Sequence, residues 1–173
     1  MPENHRKSSV AMGYNRRRRK NTGSNAFKKA VESTPEISGG YRAGLQALKD
    51  GERGLIGTEN TLLLEGSVDI DACTRDAYPE DARWDYAIGY DKKAYFVEIH
   101  SADTSNVSEM ISKANWLKNW LNTKAPALNA LESDNTFYWI PSGRCKILPL
   151  SPQYKKLAQS NILIKSRFKL PVK

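Results

Sequence analysis

Two rhythms of apolar residues organise the middle of the chain. From 106 to 124 the apolar positions Val107, Met110, Ile111, Ala114, Leu117 and Leu121 recur every three or four residues. That is the stripe of an amphipathic helix, with Lys113, Lys118 and Asn122 largely off it. Asn106 followed by Glu109 makes a capping-box pattern at its start, and Pro126 sets its end near Lys124. From 83 to 100 the rhythm is two, in aromatic-rich runs split by Asp91-Lys92-Lys93, which predicts a β-hairpin. Asp85, Ala87 and Gly89 share one face of its first strand, and Phe96, Glu98 and His100 share one face of its second. With Asp91-Lys92 as the two-residue turn, Asp85 lies opposite Glu98. With Lys92-Lys93 as the turn, Asp85 lies opposite His100 and Glu98 sits on the diagonal.

The remaining elements are shorter. Tyr41, Leu45 and Leu48 have helical spacing over 41–49, while Thr61–Glu65 fits either a buried strand or a helix end. Ser67 as a cap, acids in the first turn and Pro79 beyond the end predict a helix over 67–78. After the long helix come a strand at 136–140, a turn at 141–143 and a second strand at 145–148. A short helix opening at Ser151-Pro152, a strand at 162–164 and a closing run Arg167–Leu170 complete the chain. This order implies an α/β or α+β fold, a mixed central β-sheet flanked by helices. The helix between hairpin and strand makes a right-handed crossover that sets the 136–140 strand parallel to its neighbour.

Charge divides the chain in two. Of the net +8, residues 1–35 carry +7, from nine Lys or Arg against Glu3 and Glu32. Arg16, Arg17, Arg18, Arg19 and Lys20 stand among Asn, Ser and Gly, so residues 1–35 are expected to be a basic arm, disordered when alone, and 36–173 a single globular domain. Five consecutive cations suit phosphates, which makes nucleic acid the expected partner of the arm. Cys73 and Cys145 belong to no CxxC or Cys/His cluster, which argues against a common zinc site. No apolar stretch approaches the roughly 18–20 residues of a membrane span, and no hydrophobic leader is evident, so the expected setting is cytoplasmic, without a membrane.

Candidate chemistry sits in the hairpin. Glu98 interrupts the hydrophobic strand Tyr95-Phe96-Val97-Ile99, and a carboxylate in such a strand needs a partner. Two opposed carboxylates repel unless a cation bridges them or one stays protonated, a pattern that suggests a divalent metal. Plainer roles stand beside this one. Asp85 also suits a pairing with Arg83, Lys92 or Lys93, His100 suits the place of a structural histidine, and the four tryptophans suit packing better than base stacking.

Asp85, a turn, a hydrophobic strand ending Val97-Glu98-Ile99-His100, and a following helix with Lys113 together resemble the core of the PD-(D/E)xK nuclease superfamily. That superfamily includes restriction-enzyme and Holliday-junction-resolvase-like folds, and the resemblance covers about residues 41–150. It implies a restriction-endonuclease-like sheet, Mg²⁺ or Mn²⁺ held by Asp85 and Glu98, and cleavage of phosphodiester bonds, in DNA before RNA. It further implies a third acid, Glu65 or Glu52, and a possible homodimer. In the superfamily a lysine two residues after the Glu positions the attacking water. Here His100 stands there, and an imidazole lacks lysine's permanent cation. Lys113, two turns into the next helix, is the relocated lysine that the superfamily tolerates. Two alternatives follow: a non-catalytic nucleic-acid-binding protein with a degenerate nuclease fold, and a protein-interaction factor acting through the aromatic hairpin.

Overall fold

The alternation over 83–100 folds as the hairpin it predicts, and the rest of the sheet is laid on it. In a computed structural model that describes residues 24–173, the elements run in the order α1 (Ala26–Glu32), α2 (Asp50–Arg53), β1 (Ile56–Thr58), β2 (Leu64–Asp69), α3 (Ile70–Thr74), β3 (Tyr86–Tyr90) and β4 (Lys93–His100). There follow α4 (Val107–Thr123), α5 (Pro126–Asn129), β5 (Glu132–Pro141), α6 (Pro152–Gln159), β6 (Ile162–Ile164) and β7 (Phe168–Leu170). The central sheet has the order β2-β3-β4-β5-β6, antiparallel across the first three strands and parallel from β4 to β6. The parallel β4–β5 pair is the one the α4 crossover requires.

Strand parity divides the core. Ala87 and Phe96 face a cluster closed by α1 and α4, with Phe27, Met110, Ala114 and Leu117. Tyr86, Ile88, Tyr95, Val97 and Ile99 face a second cluster closed by Leu48, β1 and β7. The hairpin aromatics are therefore interior on both faces, which removes the aromatic hairpin as a docking surface. Gly89 is needed for this packing. A Cβ there would lie 2.3 Å from the ring of Phe27, so α1 sits directly on β3.

Several expected elements are placed differently. The domain does not begin at 36, because α1 lies inside the expected arm with Phe27 and Val31 fully buried. The Arg16–Lys20 cluster lies outside the described residues. Residues 41–49 form turns and not a helix: Gly44 has φ +56, and Arg42 bridges antiparallel to Ser67. Thr61–Leu63 is a 3₁₀ turn leading into β2. The helix expected over 67–78 shrinks to Ile70–Thr74. Ser67 and Val68 are buried in the ladder with β3, and the cap is Asp69, whose side chain accepts from the Ala72 N–H at 2.7 Å. Residues 145–148 make no strand, and Leu148 is 72% exposed. The Asn106 side chain caps nothing, since a 3₁₀ turn over Thr104–Asn106 leads into α4 instead. Strand β1, which pairs parallel with β7, has no counterpart in the sequence pattern.

Phe27→Ala is expected to cost about 3–5 kcal/mol of stability, the usual price of emptying a phenylalanine site in a packed core. Urea unfolding measures it; a loss below about 0.5 kcal/mol would return these residues to the arm.

Candidate active site

The hairpin turn sets the site. Asp91 and Lys92 both have positive φ, 49° and 65°, the geometry of a two-residue turn whose twist matches the strands. It pairs Tyr90 with Lys93 and, four rungs on, Tyr86 with Val97. The next rung is Asp85 and Glu98, which selects the first of the two registers. Across this rung each carboxylate reaches the other strand's backbone. The Asp85 N–H donates to Glu98 Oε2 at 2.9 Å, and the Ile99 N–H donates to Asp85 Oδ2 at 3.1 Å. The Asp85 carbonyl accepts from the Ile70 N–H at 2.8 Å, which ties the rung to the start of α3.

Helix α4 supplies the cation. Lys113 follows Met110 by three residues and precedes Leu117 by four, so it lies at the edge of the buried arc and not off it. Its Nζ contacts Glu98 Oε1 and stands 3.8 Å from Asp85 Oδ1. The Glu98 side chain is fully buried, whereas Asp85 and Lys113 keep 22% and 13% of their side-chain surface. The site therefore opens on the Asp85–Lys113 side. Arg83, one of the three plain partners open to Asp85, pairs instead with Asp71 at 2.9 Å.

Burial dominates the electrostatics. It pushes Glu98 far above the ordinary carboxylate range, helped by the charge of Asp85 and opposed by Lys113. Asp85 is also raised by burial, against the pull of Lys113. For Lys113 burial works against the charge, but Glu98 and Asp85 outweigh it and hold the ammonium protonated. Two carboxylates around one ammonium leave a negative charge in excess. The pair resolves it by holding a proton or by taking a further cation.

A hard divalent ion suits two carboxylates of which one, Asp85, stands at the open side of the site. Asp85 Oδ1 accepts no hydrogen bond among the described residues, while both Glu98 oxygens already have partners. Glu98 joins a metal site only if the Lys113 ammonium gives way. Among the described residues no group of three or more His, Cys, Asp or Glu is arranged to hold an ion.

The other candidates lie elsewhere. Glu65 is at the turn end of the hairpin, where Oε2 accepts from the Phe27 N–H at 2.9 Å and Oε1 from the Lys92 N–H; it ties α1 to the turn. Glu52 accepts from the Tyr86 hydroxyl at 2.7 Å. His100 shares the face of Glu98 by parity, but its Nδ1 lies 3.1 Å from the Ser101 carbonyl, and it makes no hydrogen bond to Asp85, Glu98 or Lys113. The backbone donors at 85 and 99 and the support from α3 escape sequence reasoning, because backbone geometry leaves no residue-type signal. No family model, curated protein or solved structure matches the chain.

A raised Glu98 means that the native state binds this proton more tightly than the unfolded chain does. Stability therefore falls as pH rises from the ordinary value of 4.5 towards about 8. Glu98→Gln is expected to flatten that fall in thermal melts between pH 5 and 8. Lys113→Met, which strands the acids, is expected to cost about 3–5 kcal/mol at pH 8 and less at pH 5. Identical pH profiles in wild type and Glu98→Gln would contradict the electrostatics.

Proposed function

We propose that this protein is a Mg²⁺- or Mn²⁺-dependent nuclease of the PD-(D/E)xK type, cleaving phosphodiester bonds in nucleic acid, DNA before RNA. The observation that carries the reading is the convergence of Asp85 and Glu98 on adjacent strands with the Lys113 ammonium from the next helix. In such a site a bound divalent ion polarises the phosphoryl oxygens and lowers the pKa of its water. Asp85 and Glu98 are the residues that would hold it. Lys113 takes the role of the lysine that His100 replaces: released from Glu98, its ammonium stands beside the charge that builds on the phosphate and orients the attacking water. His100 is a secondary candidate at the rim, two residues along the same strand face. Arg16–Lys20 would grip the phosphate backbone, giving a salt-sensitive and largely sequence-independent affinity. The proposal includes action in the cytoplasm and, as in many nucleases of the superfamily, work as a homodimer. Among the described residues no helix is long and apolar enough to cross a membrane.

A second reading is supported by the pairing of Lys113 with Glu98. If the ammonium holds its place permanently, the site is a closed ion-pair cluster and the protein binds nucleic acid without cutting it.

Cleavage of a plasmid and of single-stranded DNA with added Mg²⁺ or Mn²⁺ separates the two. Asp85→Asn and Glu98→Gln are expected to lower the rate by about 100-fold or more, and Lys113→Met by a similar factor, while all three keep their affinity for DNA. Unchanged cleavage in both acid variants would sink the nuclease reading. Wild-type protein that binds but never cuts would favour the second.

A further inference from the structure

The acid rung extends across the parallel half of the sheet. Glu98 is level with Trp139 of β5, and Trp139 is level with Ile164 of β6. At a strand spacing of about 4.8 Å, the line from Asp85 to Ile164 is roughly 14 Å long. Beyond this line the three parallel strands end, and the chain that leaves β5 and β6 is basic, while β4 is followed by Asp103. Arg144 follows β5; Lys165 and Arg167 follow β6.

Both exits are fixed in place by backbone hydrogen bonds. The Ser142 N–H donates to the His100 carbonyl at 3.1 Å and the Lys146 N–H to the Ala102 carbonyl at 2.8 Å, so the segment after β5 is tied to the segment after β4. The Lys165 N–H continues the ladder to the Trp139 carbonyl at 3.0 Å. Lys146 is neutralised by Asp103 at 2.9 Å. Arg144 and Arg167 are exposed and form no ion pair among the described residues. Gly143, beside Arg144, has open space where a Cβ would stand. Past β6, Lys165, Arg167, Lys169 and Lys173 line a hollow of about 200 Å³ whose one acid, Glu59, is taken by Lys173 at 2.8 Å.

We propose that the carboxyl end of β4, β5 and β6 is a phosphate track that carries one strand of nucleic acid away from the Asp85–Glu98 rung, with Arg144 and Arg167 as its cations. The inference rests on the nuclease reading of that rung. A phosphate brought to two carboxylates meets like charge, and cations one and two strands further along offset the repulsion by holding the neighbouring phosphates. Open α/β sheets bind their ligands at this same end of the strands. Exposed Arg and Lys without accompanying base-reading groups grip the backbone and not a sequence.

The test uses the full chain, a fluorescein-labelled DNA duplex and no added metal, with affinity measured across a salt series. Arg144→Ala/Arg167→Ala is expected to reduce the slope of log affinity against log salt by about 2 and to weaken low-salt binding roughly tenfold, equally for unrelated sequences. Arg144→Glu/Arg167→Glu should weaken it further, with thermal melting unchanged in both variants. A wild-type slope in both variants overturns the track, as does polyglutamate competing as well as DNA, which would make the surface a site for acidic protein. Cleavage by Glu98→Gln is measured alongside. Abolished cleavage with a wild-type slope in the arginine variants removes the track and keeps the site; intact cleavage in Glu98→Gln with a reduced slope removes the site and keeps the track.

Discussion

Glu98 has a fully buried carboxylate, and most of the architecture around it follows from that burial. A carboxylate out of water needs partners for its oxygens, and the chain provides a backbone N–H from β3 and an ammonium from α4. The first partner requires the hairpin to pair in one register. A slip by one residue would turn Glu98 into the layer of Tyr86, Ile88 and Val97, where no ammonium waits. The second requires α4 to cross the sheet with Lys113 over β4, which fixes how the helix presents Met110, Ala114 and Leu117 to the core. One buried carboxyl group thus sets the register of a hairpin and the rotation of a helix. The Asp91-Lys92 turn and the apolar stripe enforce the same arrangement independently.

The same burial makes the site responsive. Lys113 satisfies Glu98, but Asp85 beside it leaves the group one negative charge out of balance at a point that opens to solvent. A structural ion pair placed for stability alone would have no reason to keep an extra carboxylate there, since replacing charges by apolar groups often stabilises a protein. An acid pair left unbalanced, with Asp85 at the open side, is the feature on which the proposed cation site rests. That physical point supports a functional reading even where the string of residues departs from its resemblance at His100.

What could be read from the residues was what short-range chemistry decides. The charged turn, the alternation on either side of it and the placing of Asp85 and Glu98 on one face follow from strand parity, and the turn was among the two that parity allows. Sequence spacing makes Lys113 a candidate but sets it off the apolar stripe. Its true place depends on Trp120, which widens the buried arc on the same side and donates its indole N–H to Glu36 at 2.6 Å, a contact 84 residues away in sequence. Long-range contacts also explain the misplaced elements. Phe27 looks incidental in a basic stretch until Gly89 makes room for its ring. Ser67 has the chemistry of a helix cap, yet its hydroxyl accepts from the Ala47 N–H at 3.1 Å while its backbone pairs with Ile88 and Arg42. Glu65 has the right residue type for a third ligand, but lies at the wrong end of its strand.

The two ends of the hairpin lie in different surroundings. Ser24, where the described chain begins, lines a hollow with Leu63, Asp91 and Lys92 at the turn end of the hairpin. The acid rung is six residues back along β3, about 20 Å from the turn. On the proposed function, the Arg16–Lys20 cluster and the β5 and β6 exits would contact one polyanion at separate points. Contacts separated in this way hold a long ligand more firmly than the same charges clustered together, because each added contact is made at the high effective concentration set by the first. Such a grip needs a partner long enough to span both ends. On the proposed function that partner is a nucleic acid, whose charge every few ångströms meets the requirement.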